Sequence, residues 1–81
     1  MPLLILYGKP GCHLCDEARD ALERAVAGHE VEIEHMDVTL DPMLERQYGH
    51  RIPVVALDGE ELFEYAVDPY VLRNRLDKVR S

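Results

Sequence analysis

The spacing of hydrophobic and polar positions changes several times along the chain, and each change marks a new element. Residues 3–7 form a continuous apolar run that ends at the turn sequence Gly8-Lys9-Pro10-Gly11. Such a run, followed by turn residues, is typical of a strand that is buried on both faces. We therefore predict a central first strand.

A helical period follows the turn. From Leu14 the apolar residues recur three and four positions apart with charges between them, and Gly28 ends the pattern as a C-terminal cap does. Residues 30–35 then alternate with period two, with three glutamates on one face and Val31, Ile33 and His35 on the other. This alternation predicts an edge strand with one wet face, and His35, on the other face, is predicted to be half-buried.

Two Asp-Pro pairs and one Asp-Gly pair mark the helix starts and the turn that we predict in the rest of the chain. Asp41-Pro42 and Asp68-Pro69 each place an N-cap before a proline at the first helical position, which predicts helices over residues 42–48 and from residue 69 onward. Val71, Leu72, Leu76 and Val79 form the apolar stripe of the second of these. Asp58-Gly59 predicts a type I′ turn between a strand that starts at Pro53 and one over residues 60–65. The order β-α-β-α-β-β-α implies an α/β fold with a mixed four-stranded sheet flanked by helices.

Composition restricts the class of protein. The 81 residues suit one domain over residues 1–81, and 47% apolar with 31% charged residues favours a globular core over disorder. The longest apolar run is far shorter than a membrane helix and lacks the flanks of a secretory signal, so we expect a cytoplasmic protein with no membrane association. A net charge of −7 disfavours nucleic acid as a partner, because like charges repel. We also expect a monomer.

The candidate chemistry lies at two cysteines, which are separated by two residues. Cys12 falls in the turn between a buried strand and a helix, where unpaired N–H groups and the helix dipole favour an anion. Because a thiolate is the species that attacks a disulfide, Cys12 is the predicted nucleophile, and Lys9 adds positive charge nearby. Cys15, one helical turn further on, is the predicted resolving thiol. Asp16 and Glu17 oppose thiolate formation, so the net effect on Cys12 stays open here.

A structural zinc site is the main alternative for these cysteines. Together with His29 and His35 they match the spacing C-x2-C-x13-H-x5-H, which is close to a zinc-finger pattern. A whole predicted helix separates the two pairs, however, and the acidic composition disfavours the nucleic acid that such fingers bind. We therefore expect no metal ligands and favour redox chemistry.

Two segments resemble those of a known family. Residues 7–15, YGKPGCHLC, are similar to the active-site segment of glutaredoxins, and residues 48–55, YGHRIPVV, resemble the segment that carries the cis-proline of thioredoxin-fold proteins. The segment P-G-C-H-L-C-D-E is similar to that of small glutaredoxin-like proteins. The resemblance implies a thioredoxin-like fold and a thiol–disulfide oxidoreductase, in which Cys12 and Cys15 reduce or exchange protein or glutathione disulfides.

The resemblance also implies a set of substrate-binding residues: Lys9, His13, Arg51, Ile52, Pro53 and Asp68. A cis Pro53 would let the backbone of Ile52 pair with an extended peptide or with glutathione, like one added strand. Lys9 and Arg51 are candidates for substrate carboxylates, and a charged His13 for holding the thiolate. The glycine pair that precedes the last helix in glutaredoxins is missing here. Asp68 is therefore either a ligand of the γ-glutamyl amine or a helix cap.

No resident cofactor is expected. Glutathione would act as a co-substrate, and a thiol reductant system would restore the dithiol. Two further functions stay open at this level: a carrier that holds an iron–sulfur cluster or metal between two chains through Cys12, and a thioredoxin-fold interaction domain without turnover.

Overall fold

The computed structural model describes residues 2–79, without the side chain of Val79. These residues form four strands, three α-helices and one 3₁₀ turn, Val38–Leu40. In chain order the larger elements are β1 Leu3–Gly8, α1 His13–Val26, β2 Glu32–Asp37, α2 Pro42–Tyr48, β3 Val54–Leu57, β4 Glu60–Glu64 and α3 Pro69–Val79. The predicted order β-α-β-α-β-β-α and the α/β class are confirmed.

The strands form one mixed sheet in the order β2-β1-β3-β4. β1 pairs in parallel with β2 and antiparallel with β3, and β3 pairs antiparallel with β4. The central position of β1 and the edge position of β2 are as predicted. His35, however, is exposed rather than half-buried, because a surface cleft opens between this part of β2 and the start of α1. β2 also begins two residues later than expected, at Glu32.

Two hydrophobic clusters lie on opposite faces of the sheet. The larger joins β1 and β3 to α1 and α3, through Leu4, Leu6, Ala18, Leu22, Ala25, Val55, Leu57, Leu72 and Leu76. The smaller contains Val38, Tyr48 and Val54, with Tyr7, Leu44 and Ile52 packed against it. Because neighbouring strand residues point to opposite faces, Leu6 and Tyr7 belong to different clusters. Helices therefore cover both faces of the sheet, as expected.

The buried face of α1 begins at Cys15. Its members are Cys15, Ala18, Ala21, Leu22 and Ala25. Leu14, which the sequence pattern placed at the start of the stripe, is 48% exposed. The helical period of 3.6 residues explains this correction, since steps of three and four back from Ala25 and Leu22 lead to Ala18 and then to Cys15.

The predicted caps and turn are present. The Met43 N–H donates to Asp41 Oδ1, and the Tyr70 N–H donates to Asp68 Oδ1, each at 2.9 Å. Asp58 and Gly59 have φ angles of 49° and 90°, which are the two positive angles of a type I′ turn. In α3, Leu72 and Leu76 are buried and Val71 is exposed, while the side chain of Val79 lies outside the described residues. Among residues 2–79, no helix combines the length and apolar character that crossing a membrane requires.

Replacing a core leucine should destabilise the fold far more than replacing a surface leucine. Leu22 is 0% exposed and Leu40 is 81% exposed. We expect Leu22→Ala to lower the free energy of unfolding by about 3 kcal/mol, because it removes contacts and leaves a cavity. Leu40→Ala should change it by less than about 0.5 kcal/mol. Urea unfolding of both variants tests this, and equal effects would show that the core is assigned wrongly.

Candidate active site

Cys12 is the N-cap residue of α1. Its backbone is extended, with φ −90° and ψ 112°, and its side chain is half-buried. Cys12 Sγ accepts a hydrogen bond from the Cys15 backbone N–H at 3.2 Å. That N–H is one of the first donors of the helix, which have no partner within it, so the sulfur takes the place that a serine or aspartate oxygen usually fills. The sulfur thus lies where a helix favours negative charge.

Cys15 occupies a different environment from Cys12. Its side chain is only 7% exposed, and burial is the main reason why its pKa is raised to about 11. The hydrogen bond with the Cys12 side chain raises this pKa further, whereas the backbone N–H of Lys9 lowers it. Cys15 is therefore protonated at neutral pH. Cys12 is thus half-buried at the end of the helix, and Cys15 is buried one turn later. An attacking and a resolving thiol would differ in the same way.

A cleft of about 250 Å³ opens between the first turns of α1 and the end of β2. Cys15 forms part of its wall, together with Lys9, Arg19 and His35. The Lys9 side chain is exposed at this position, beside the turn that carries Cys12. Cys15 is therefore buried in the core on one side and borders this cleft on the other.

The pairing of β1 with β3 places Pro53 at the same end of the sheet as the cysteines. Tyr7, which lies just before the active-site turn, pairs with Val54, the first residue of β3. The Ile52–Pro53 peptide bond is cis. Pro53 is buried and Ile52 is half-buried. The Pro53 carbonyl accepts a hydrogen bond from the Tyr65 N–H at 2.8 Å, which ties this loop to the end of β4.

An aromatic stack holds the same loop against β1. The rings of Tyr7 and Tyr48 are stacked, with centroids 4.0 Å apart and planes inclined by 18°. Arg51 Cζ lies 5.4 Å from the centre of the Tyr48 ring, within the range of a cation–π contact. Burial, followed by the contact with Tyr48, raises the pKa of Tyr7. The stack therefore runs from the end of β1 to the residues just before Pro53.

The guanidinium of Arg51 is bound by other groups of the protein. Nη1 donates to Glu61 at 2.8 Å and to Glu64 at 3.2 Å, and Nη2 and Nε donate to the Gln47 carbonyl at 3.1 and 3.4 Å. The two carboxylates, Glu61 first, hold the pKa of Arg51 above its usual value. Four of the five N–H donors of the guanidinium are thus in use. The predicted contact with a substrate carboxylate requires the fifth N–H, or exchange of an internal partner.

The sequence does not reveal these partners of Arg51. Glu61 and Glu64 are three residues apart, so a regular strand would point them to opposite faces. The register shifts between Val55 and Ala56, where Phe63 pairs with Val55 and Glu61 pairs with Ala56. Leu62 is therefore the extra residue of a β-bulge, which brings both glutamates to the face on which Val54 packs.

The remaining predicted site residues have local partners. The His13 side chain is 88% exposed, and its Nε2 lies 3.0 Å from Glu17 Oε2, one turn along the helix. Asp68 caps α3, which was one of its two predicted roles. Two residues that the sequence analysis did not assign to the site also contribute: Gly8 contacts the Cys15 side chain, and Tyr65 has a φ of 70° with its hydroxyl 3.3 Å from the His50 carbonyl. A non-glycine residue at the end of a strand carries no sequence signal for positive φ.

The four residues of the zinc-finger spacing are not gathered into one site. His29 Nε2 lies 2.7 Å from Asp77 Oδ1, which joins the loop after α1 to α3, whereas His35 lies in β2. Within residues 2–79, no group of three or more histidine, cysteine, aspartate or glutamate side chains is arranged to hold a metal ion.

Residues 3–77 match the family model described as "Glutaredoxin-like domain (DUF836)". The uncharacterized protein Rv0508 of Mycobacterium tuberculosis is 33% identical over 79 residues, which cover 89% of this chain and 79% of that protein. The structure of target protein XcR50 from X. campestris is 39% identical, covers 94% of this chain and 97% of its own, and superimposes with a TM-score of 0.77. A mutant thioredoxin from Halobacterium salinarum, 21% identical with a TM-score of 0.72 over 99% of this chain and 75% of its own, shows that the fold is thioredoxin-like, as predicted.

The thiol of Cys15 should titrate well above neutral pH. In a Cys12→Ser variant, we expect the rate of alkylation by iodoacetamide to keep rising beyond pH 9, because burial, the largest cause of the raised pKa, is unchanged by the substitution. Intact-mass measurements from pH 6 to 11 follow this rate. The matched control is a Cys12→Ser/Cys15→Ala/Leu14→Cys variant, whose thiol at the exposed position 14 should titrate at about 8.5. Identical profiles for the two thiols would contradict the effect of burial.

Proposed function

The chain belongs to the glutaredoxin-like domain family, and from this premise we propose that it is a thiol–disulfide oxidoreductase in which Cys12 attacks and Cys15 resolves. One observation carries the proposal: Cys12 Sγ accepts the Cys15 N–H at the start of α1, while the Cys15 thiol is buried behind it. This arrangement favours negative charge on one sulfur and a protonated state on the other.

The reaction consists of two exchanges. The Cys12 thiolate attacks one sulfur of a substrate disulfide, a mixed disulfide forms, and the second substrate sulfur leaves as a thiolate that takes up a proton. Cys15 then loses its proton and attacks Cys12 Sγ, which closes the internal disulfide and releases the first substrate sulfur. The substrate gains two electrons and two protons, and the dithiol loses them. An external thiol reductant, such as glutathione, restores the dithiol, and no resident cofactor takes part.

The raised pKa of Cys15 affects the order of these events. A thiol with a pKa of about 11 is rarely ionised at neutral pH, so Cys15 does not compete with Cys12 for the substrate. It must release its proton before the second exchange.

A protein disulfide is better supported as substrate than glutathione disulfide. Glutathione needs cations for its carboxylates, and the guanidinium of Arg51 is already shared between Glu61 and Glu64. An extended protein segment depends instead on backbone pairing, for which we propose Ile52, just before Pro53. Lys9 and His13, both exposed beside Cys12, remain proposed contacts, as does Asp68. A dithiol that reduces substrate disulfides also fits the reducing conditions of the cytoplasm, which we propose as its location.

Trapping with glutathione disulfide and with a peptide disulfide tests the assignment of the two cysteines. After reduction, the native chain should close its internal disulfide, whereas Cys15→Ser should retain one glutathione or peptide on Cys12. Cys12→Ser should react at least about ten-fold more slowly than Cys15→Ser, because its only thiol is buried. Intact masses recorded over time at neutral pH distinguish these species. A native chain that reacts no faster than an unactivated thiol would point to a non-catalytic domain.

Freeing Arg51 should improve the reaction with glutathione disulfide. Glu61→Gln removes the nearer of its two carboxylate partners, so we expect the KM for glutathione disulfide to fall about three-fold, with little change for a neutral peptide disulfide. Glu60→Gln is the control, because it makes the same change in net charge but alters a carboxylate that pairs with Arg75. Steady-state kinetics measure both KM values. An equal fall in the control would mean that net charge alone is responsible.

A further inference from the structure

Gly8 is the last residue of β1 and lies against the side chain of Cys15. A Cβ atom built on Gly8 would be 2.9 Å from Cys15 Sγ and 3.2 Å from Cys15 Cβ. Favourable contacts between carbon atoms lie at about 3.5–4.0 Å, and sulfur is larger than carbon. No side chain can therefore be added at Gly8 while Cys15 keeps its place.

The backbone conformation does not explain this glycine. Gly11, Gly28 and Gly59 have φ angles of 77°, 83° and 90°, which other residues rarely adopt, and a Cβ on any of them would have no atom within 4 Å. The φ of Gly8 lies outside this left-handed region. A glycine within a strand also lowers its stability, because it loses more conformational freedom on folding. Contact with Cys15 is thus what distinguishes Gly8 from these three glycines.

We propose that Gly8 is a positioning residue for the resolving step: its missing side chain creates the space in which the Cys15 thiol is held. Gly8 has this role only if Cys15 resolves, so the inference rests on the proposed function. In that step Cys15 loses a proton to solvent, its sulfur bonds to Cys12 Sγ, and the bond from Cys12 to the substrate sulfur breaks in line with the attack. The leaving thiolate takes up a proton, and no further oxidant is needed.

The geometry of Cys15 has little tolerance for displacement. A cysteine side chain has a single torsion, and a helix restricts it to few rotamers. A Cβ at Gly8 would therefore rotate the sulfur to another rotamer or push the start of α1 away from β1. Misplacement of a reacting group by about 1 Å can slow a reaction by about a hundred-fold. When the Cys15 sulfur turns to another rotamer, Cys12 loses its contact with that thiol but keeps the hydrogen bond from the Cys15 backbone N–H, so the effect falls mainly on the resolving thiol.

A Gly8→Ala variant separates the two exchanges. The reduced protein is mixed with an aromatic disulfide whose thiol product is coloured, such as dithiobis(nitrobenzoate). The first release of coloured thiol reports attack by Cys12, and the second reports closure by Cys15. We expect the first rate to stay within about two-fold of that of the native chain, and the second to fall at least about ten-fold. A second release at the native rate would overturn the proposal.

A double-mutant cycle distinguishes contact with the sulfur from a general effect on the strand. Gly8→Ala should lower the melting temperature more in the native chain than in a Cys15→Ala background, where the sulfur is absent. Should Gly8→Ala fail to fold, the proposal requires the Gly8→Ala/Cys15→Ala variant to fold. Equal losses in both backgrounds, or a double variant that also fails to fold, would contradict it.

If the proposed function is wrong, the same release assay gives a different result. In that case the first release would be no faster than for an unactivated thiol, already in the native chain and before any change at Gly8. A fast first release combined with an unaltered second release in Gly8→Ala would overturn only the role of Gly8.

Discussion

The packing of α1 on the central strand β1 is the contact on which the rest of the structure depends. β1 has a paired strand on each side, so its position sets the registers of β2 and β3. The buried face of α1 consists largely of alanines, and Ala18, Leu22 and Ala25 pack in one cluster with Leu4 and Leu6 of β1. The packing continues to the end of β1, where the Cys15 side chain occupies the space that a Cβ on Gly8 would need. The same interface that builds the core therefore also positions one of the two sulfurs.

The difference between the two cysteines is a consequence of helix geometry. Cys12 lies outside the first turn of α1 as its N-cap, where backbone N–H groups are unpaired, and three residues later Cys15 lies on the face that packs on the sheet. A spacing of three residues therefore gives one sulfur a hydrogen-bond donor and solvent, and the other a hydrophobic environment that raises its pKa. The difference on which the proposed roles of the two cysteines rest therefore needs no additional side chain.

The loop before Pro53, which we propose binds the substrate, is held by contacts between residues distant in the chain. The loop before Pro53 is held by the Tyr7–Tyr48 stack, by the hydrogen bond from Tyr65 and by the carboxylates bound to Arg51. The carboxylates engage the guanidinium of Arg51, which is one of the two predicted ligands of a substrate carboxylate. The loop is thus tied to β1 and β4 by several contacts, which supports the proposal of a substrate recognised by its extended backbone.

Features that depend on local spacing could be predicted from the sequence. The caps at Asp41 and Asp68, the Asp58-Gly59 turn and the order of the elements follow from residues within a few positions of one another, because helices, strands and turns have fixed periods. The Cys-x-x-Cys motif at a helix start is of the same kind. Packing and register decided the rest. The exposure of His35 depends on the cleft beside α1, and the pairing of Arg51 with both glutamates depends on the bulge at Leu62. The need for glycine at position 8 arises from a helix residue seven positions later in the chain. No local pattern contains such distances, since they exist only after the sheet has paired and α1 has docked on it.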